Sequence, residues 1–350
     1  MDDFSNHIIK SGCSILDALR ALNGIHTKFL DLFVETDDGK VIGVVTDGDL
    51  RRGLVAGAQL TDPVNSVMNR NFMSFEQGSI DVKKFKYCKS KGMSLIPSLT
   101  KDGKIEKIYN IGVLRSILPI DAVLMAGGKG ERLRPLTEKT PKPLLPVGDK
   151  AIIDHNVDRL ISYGIQHISV TVNYLKEQIE EHYASPRQGV QIQTVREPKY
   201  LGTIGSIKFV KTFYNDTVLV MNSDLFTNID YEDFYLHFIE HKADMSVAAV
   251  PYSVSIPYGI LDLEERRNIK GLIEKPTYDY YANAGIYLIK RSALDEIPDD
   301  TFFNATDLIE KLITEGKKVI RFPLNGTWID IGNPQEYQKA NELVKHISYY

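Results

Sequence analysis

Glycines and cations crowd together between residues 126 and 143, in the run AGGKGERLRPLTEKTPKP. Gly127, Gly128 and Gly130 allow close approach of backbone amides, and Lys129, Arg132, Arg134 and Lys142 bring positive charge. A short apolar run, 122–126, precedes them and reads as a buried strand. Backbone N–H groups and cations gathered at the carboxyl end of a strand suit a polyphosphate. Spacing excludes two common glycine loops. Leu133 stands where a dinucleotide fingerprint has its third glycine, and the Gly-Lys-Ser/Thr of a P-loop is missing.

The elements that must position this loop are legible as alternating periods. Strand-like runs fall at 122–126, 168–173, 190–195, 218–222 and 245–250, separated by helix-like runs at 152–163, 176–182, 204–212 and 231–241. Strand–helix–strand alternation predicts an α/β, doubly wound, mostly parallel sheet with right-handed crossovers. Ligands bind such sheets beyond the carboxyl ends of the strands. Shorter β runs at 259–263, 269–273 and 284–289 predict a mixed extension forming a second lip. Helices are expected at 305–316 and 334–346.

Residues 1–118 are organised differently, around a repeat. Thr36-Asp-Asp-Gly-Lys-Val41 matches Thr100-Lys-Asp-Gly-Lys-Ile105, and Gly48, Leu50 and Arg51 match Gly112, Leu114 and Arg115 at the same offset. Each copy reads helix (14–23; 80–91), strand, Asp-Gly turn, strand and short helix, and Asp-Gly between apolar runs signals a hairpin. One unit buries too little alone, so two sharing a core make a compact α+β domain. Pro119 ends its last helix, so the boundary falls near 118, with a second domain over 119–350.

The stretch GVVTDGDLRR at 43–52, with DPVNSVM at 62–68, resembles a cystathionine-β-synthase (CBS) motif. Such motifs occur in tandem and often bind adenine nucleotides in the cleft between repeats. The resemblance assigns Thr46 and Asp49 to ribose and phosphate. In the second copy Asn110 and Val113 occupy those places, so at most one site is intact. A capping role for Asp47 and Asp49 competes with ligand sensing, and many CBS pairs serve as dimerisation modules. Scaffold or dimer contact is the favoured reading, giving a homo-oligomer through the CBS pair.

The second domain resembles the sugar-1-phosphate nucleotidyltransferases. The resemblance rests on LMAGGKGERLRPLT (124–137) with Pro141-Lys142-Pro143, Leu201-Gly-Thr-Ile-Gly205, Asn222-Ser-Asp224, Glu274-Lys-Pro276 with Asn283-Ala-Gly-Ile-Tyr287, and Trp328-Ile-Asp-Ile-Gly332. It covers about residues 120–345. The implied fold is a Rossmann-like nucleotidyltransferase. The implied reaction is attack by a sugar-1-phosphate oxygen on the α-phosphorus of a nucleoside triphosphate. That nucleophile is already ionised, so catalysis is positioning and charge neutralisation.

Within the resemblance, Ala126, Gly127, Gly128, Gly130, Gly202 and Thr203 contact the nucleotide. Arg132 and Lys142 neutralise the triphosphate, and Lys275 meets the sugar phosphate. Asn173, Gly259, Glu274 and Asn283 take the sugar ring. Asp224 ends an apolar strand, where an unpartnered carboxylate is costly. With Asp330 it suits Mg²⁺, which binds one or two carboxylates plus phosphates and keeps water. Trp328 reads as packing. Glu197 precedes Leu-Gly-Thr, and a carboxylate can accept from guanine N1–H and N2–H₂ together, which favours GTP. Glu131, where the family carries Thr or Ser, departs from the pattern: a carboxylate beside phosphates costs affinity unless it turns away or helps hold metal water.

The CBS–nucleotidyltransferase fusion further resembles guanylyltransferases that activate glucosamine-1-phosphate on the legionaminic acid branch of surface-glycan synthesis. Mannose-1-phosphate with GTP, glucose-1-phosphate with UTP or dTTP, and a non-catalytic nucleotide-sensing regulatory subunit remain the alternatives. Composition is ordinary for a soluble protein, with 43% hydrophobic and 25% charged residues. A net charge of −4 gives no nucleic-acid footprint. Cys13 and Cys88, both in helix-like segments, cannot form a disulfide framework or zinc site and read as small buried hydrophobes. The first residues show no signal peptide and no apolar run could span a bilayer, which predicts a cytoplasmic protein without membrane partners.

Overall fold

A computed structural model describes residues 4–26, 29–79, 81–264 and 267–346. Two compact units divide the chain, residues 1–118 with 162–164 and residues 119–161 with 165–350.

The larger unit is built on a seven-stranded sheet. Its strands, labelled in chain order, are β1 (Asp121–Ala126), β2 (Ile168–Val172), β3 (Ile192–Arg196), β4 (Thr217–Asn222), β5 (Met245–Ser255), β6 (Thr277–Lys290) and β7 (Val319–Pro323). They lie in the order β3-β2-β1-β4-β6-β5-β7. All run parallel except β6, which is antiparallel to β4 and β5. β1 is apolar throughout after Asp121 and almost wholly buried, as a strand flanked on both sides requires. Asp121 is buried too, but its carboxylate accepts from Tyr214 N, Asn215 N and Asn215 Nδ2 at 2.7–3.0 Å. Those three bonds meet the cost of burying it.

Helices Ile152–Ser162, Lys176–His182, Tyr231–Glu240, Ala305–Thr314 and Pro334–Val344 accompany the sheet. Ala305, Leu308 and Leu312 pack with Val218, Val220 and Ile289 in the main core. A second cluster joins Leu133, Leu145, Ile152, Phe226, Ile329 and Ile331. It holds the segment after β1 beside the strand pair Leu225–Thr227 and Trp328–Asp330. In that pair Leu225 faces Asp330, so Asp224 and Asp330 are delivered to one place by register.

Two expectations change. The helix expected over 204–212 is a short 3₁₀ segment, Gly205–Phe209. The N–H groups of Ile204 and Gly205 both donate to Phe303 O at 3.1 Å, which binds this backbone to a neighbouring loop. The run 284–289 is the inner half of a 14-residue strand, β6, lying between β4 and β5. The outer half, Tyr-Asp-Tyr-Tyr-rich and exposed, pairs with the end of β5 as a two-stranded ribbon. A hairpin, Ile260–Leu263 with Ile269–Ile273, lies between the two ribbon strands in sequence.

The smaller unit is a repeat of two three-stranded sheets. One contains Ile8–Lys10, Asp31–Glu35 and Val41–Thr46, the other Phe75–Glu76, Leu95–Leu99 and Ile105–Asn110. In each, the first pairing is parallel and the second antiparallel. The Asp-Gly turns match closely: Thr36 N donates to Lys40 O at 2.9 Å and Thr100 N to Lys104 O at 2.8 Å. Phe33, Val41, Leu95 and Ile108 form a cluster common to both copies. Helices Ile15–Asn23 and Val82–Ser90 precede the hairpins. Ile80, the expected start of the second, lies outside the described residues.

Only the first copy closes with a helix, Asp47–Val55; residues 111–118 form turns and extended chain. Thr46 and Asp49 explain the difference. Asp49 N donates to Thr46 Oγ1 at 3.2 Å, and Thr46 N and Oγ1 donate to Asp49 Oδ2 at 2.9 and 2.7 Å. This reciprocal cap cannot form with Asn110 and Val113. Cys88 is buried within its helix, whereas Cys13 lies just before one and is half-buried.

Candidate functional site

A cleft of about 680 Å³ opens at the carboxyl ends of β1, β2 and β4. It is lined by Ala126, Gly127, Gly128, Gly130, Arg132, Lys142, Asn173, Glu197, Gly202, Thr203 and Asp224, all singled out from sequence. A cavity of about 710 Å³ at the opposite ends of β4 and β6, beside Thr217, Lys290, Arg291 and Asp295, contains none of them. The residues singled out from sequence therefore gather in the first.

The glycine loop is held from beneath. Gly130 has φ 62°, and a Cβ there would come within 3.1 Å of Lys142 Cβ and 3.0 Å of Thr137 Cγ2. Thr137 Oγ1 donates to Gly130 O at 2.8 Å, and Tyr174 Oη donates to Thr137 O at 3.0 Å. Thr137 and Tyr174 thus shape the loop from positions that charge and glycine spacing do not signal.

Charges in the cleft interleave. Lys142, buried, donates from Nζ to Asp224 Oδ2. The guanidinium of Arg132 lies on Gly332, where a Cβ would meet Nη2 at 2.8 Å. Asp224 and Gly332 line the cleft, whereas Asp330 is not among its lining residues. Burial, and then the neighbouring Asp224 charge, push its carboxyl above the usual range against the pull of Lys142 and Arg132. Lys142 supplies one positive charge to this pair of carboxylates. Among the described residues no group of three or more His, Cys, Asp or Glu could hold a metal ion, so an ion here would have only this carboxylate pair as side-chain donors. That fits a hard divalent ion that keeps much of its water. Glu131 stays on the cleft lining, its side chain 65% exposed and its Oε1 4.0 Å from Arg134 Nη2.

Glu197 is buried at the other end of the cleft. Its Oε1 accepts from Leu201 N at 2.7 Å, and its carbonyl accepts from Asn173 Nδ2 at 3.1 Å. Oε2 lies so close to Gly127 that a Cβ there would approach it to 2.5 Å. Burial raises its carboxyl pKa, partly offset by the Leu201 N–H. One oxygen is committed and the other is turned toward the loop.

Gly202 and Thr203 join the loop ahead of the helix Ala305–Thr314. Thr203 Oγ1 accepts from Ala305 N at 2.9 Å, and Thr203 N donates to Asn304 Oδ1 at 3.2 Å. Gly202 has φ 80°, and its Cβ would meet Phe303 O at 2.6 Å. Gly202→Ala combines left-handed strain with a backbone clash, so a loss of about 2–3 kcal/mol is expected. Urea unfolding checks this; wild-type stability would show that the loop yields freely.

Of the residues expected to take the sugar and its phosphate, Asn173 lines the cleft, and the other four are elsewhere. Gly259 and Glu274 meet on the hairpin, where a Cβ on Gly259 would be 2.9 Å from Glu274 Oε2. Lys275 follows at φ 44°, and both Glu274 and Lys275 are exposed. Asn283 accepts from Gly285 N at 2.9 Å. None of the four lines the cleft, although Gly285 packs on Asn222, which does. Trp328 donates from Nε1 to Ala284 O at 2.9 Å, tying its strand to β6.

Thr171, Tyr200 and Ser206 also line the cleft and were not singled out. Thr171 carried a signal: it is a polar residue inside the otherwise apolar end of β2, ISVTV. In the smaller unit Thr46 and Asp49 are committed to the helix cap. Burial would raise the Asp49 pKa, but hydrogen bonds from Thr46 and the Arg52 charge, 2.6 Å away, hold it below the usual range.

Residues 121–346 match the profile of a family described as nucleotidyl transferase. A mannose-1-phosphate guanylyltransferase of Mycobacterium tuberculosis is 30% identical over 237 residues, 65% of this chain and 66% of the relative. A bifunctional protein GlmU of Methanocaldococcus jannaschii is 32% identical over 235 residues, 64% of this chain and 54% of the relative. The chain therefore spans about half to two thirds of these relatives. The crystal structure of HddC from Yersinia pseudotuberculosis shares the fold, with a TM-score of 0.50 and 24% identity over 64% of this chain and 99% of that one.

Proposed function

Since the chain belongs to the nucleotidyl transferase family, we propose that it joins a nucleotide to a sugar-1-phosphate. GTP and glucosamine-1-phosphate are the favoured pair, and the product is a GDP-sugar for surface-glycan synthesis on the legionaminic acid branch. The observation that carries the reading is the Lys142–Asp224 pair at the strand ends, with Arg132, Asp330 and the glycine loop around it. A phosphate oxygen of the sugar attacks the α-phosphorus, the bond to the β-phosphate breaks, and pyrophosphate leaves. No proton need move. Arg132 and Lys142 neutralise charge on the triphosphate, and the loop amides fix it in line. Asp224 and Asp330 would hold Mg²⁺, which supplies further charge neutralisation when bound. Lys142, paired with Asp224 in the free site, would donate to phosphate when the nucleotide binds.

Glu197 supports guanine, as does the resemblance to a relative named a guanylyltransferase. Lys275, Glu274, Asn283, Gly259 and Asn173 are assigned to the sugar phosphate and ring. The N-terminal unit is read as a tandem CBS pair that links chains, with an adenine nucleotide as its ligand where it binds one. Its twofold repeat supports this, and the engaged Thr46–Asp49 cap favours the scaffold role. A pyrophosphate-release panel of five nucleoside triphosphates against several sugar-1-phosphates is the test. GTP turnover is expected. No turnover with any pair in Mg²⁺ would leave the regulatory-subunit reading, and UTP-only turnover would remove guanine from Glu197.

A further inference from the structure

The outer ribbon of β5 and β6 has two unlike faces. Cross-strand register sets Tyr252 opposite Tyr280 and Val254 opposite Tyr278, so these four share one face. The other face carries Ser253, bonded to Asp279 at 2.5 Å, and Ser255, bonded to Thr277 at 3.0 Å. The polar face is self-satisfied; the apolar one is open, its four side chains 37–60% exposed. The hairpin adds exposed apolar pairs, with Ile273, 51% exposed, opposite Ile260 on its other face. Leu261 lies opposite Leu272 and Leu263 opposite Ile269, all 50–63% exposed.

Summed over the ribbon and the hairpin, the four ribbon residues with Leu261, Leu263, Ile269 and Leu272 leave on the order of 800 Å² uncovered, about 400 Å² on each element, where a monomer's largest contiguous apolar patch is about 300–600 Å². About 800 Å² per partner is what a standard stable interface buries. A two-stranded hairpin is also marginal without a covering layer. Residues 251–281 hold five acidic and four basic side chains, a balance that lacks the excess positive charge a membrane surface or nucleic acid selects. Mixed signs such as Asp262 and Lys270, both exposed, suit a surface that must complement itself.

We propose that the ribbon and hairpin form an isologous interface with a second copy of this chain. Each copy then braces the other's hairpin, which carries Gly259, Glu274 and Lys275. The kinetic consequence rests on the sugar-site reading above; the assembly itself does not.

Sedimentation velocity and light scattering on the full chain test it, comparing wild type with Leu261→Thr/Leu272→Thr and, separately, Tyr252→Thr/Tyr280→Thr. Wild type is expected as a dimer or higher even assembly, and each variant at half the wild-type mass with an unchanged circular dichroism spectrum. A monomeric wild type overturns the proposal, as does a folded variant that keeps the full mass, which would place the contact elsewhere. Should either variant misfold, hydrogen exchange on wild type decides. Amides of 260–263 and 269–273 exchange more slowly above the assembly's dissociation concentration than below it; equal rates overturn the interface. In the variants KM for sugar-1-phosphate is expected to rise about tenfold with KM for GTP unchanged. Halved mass with unaltered KM leaves the interface standing and removes the sugar role from the hairpin.

Discussion

Asp224→Asn is expected to lower kcat by about 10³-fold, the scale of losing a charge-stabilising group at a reacting phosphate. The side chain keeps its shape, so Leu225 still pairs with Asp330 and the strand end stays in place. What is lost is half of the carboxylate pair and the counter-charge to Lys142. Lys142 is 8% exposed, and in the variant it has only a neutral amide beside it. A stability loss of about 2 kcal/mol follows, below the 3–5 typical of a fully buried pair because the Asp224 side chain is 23% exposed. Steady-state kinetics across a Mg²⁺ titration and a urea curve measure both. A kcat within tenfold of wild type would remove Asp224 from the reaction.

Glu197→Gln separates recognition from folding. A glutamine oxygen can still accept from Leu201 N, now at 2.7 Å from Oε1, so the fold should hold. The charged acceptor proposed for guanine is gone, and kcat/KM for GTP should fall about 10²-fold while that for UTP changes little. The pKa of Glu197 is raised by burial. As pH falls through that raised value, KM for GTP should climb in wild type and stay flat in the variant. Stability has a definite sign as well. Between the ordinary and the raised pKa the folded state binds more protons, so stability declines as pH rises across that window. The glutamine variant lacks this decline and should melt no lower than wild type at neutral pH. Parallel pH profiles of KM in the two proteins would sink the assignment.

The phosphate-loop end of the site was legible because strand ends and glycine spacing are local signals. β1 reads from its unbroken apolar run, and the helix Lys176–His182 from its period. A capping role was legible for Asp47 and Asp49; geometry gives the cap to Thr46 with Asp49 and makes Asp47 the first residue of the helix. The outer half of β6 was not legible. Tyr278–Tyr281 has neither alternation nor a core face, because its apolar side is turned to solvent. The 3₁₀ segment after Gly202 was hidden for a different reason. Its shape is dictated by Phe303 O, about a hundred residues away. Thr137 and Tyr174 are likewise set by one fold-level contact each, which no period records.

The reversed direction of β6 has a consequence for how such a protein can change. Because β6 runs against its neighbours, its first residues and the last of β5 emerge at the same edge of the sheet as the glycine loop. Everything from 256 to 276 is an insertion between two strands already paired to one another. Its 21 residues can lengthen, shorten or be exchanged without shifting the register that sets Asp224, Asp330 and Lys142. On the proposed reading, the part of the acceptor side that carries Gly259, Glu274 and Lys275 is therefore a replaceable cassette on a fixed phosphate-handling chassis. A lineage, or a designer, can change what is activated while leaving alone the part that activates it.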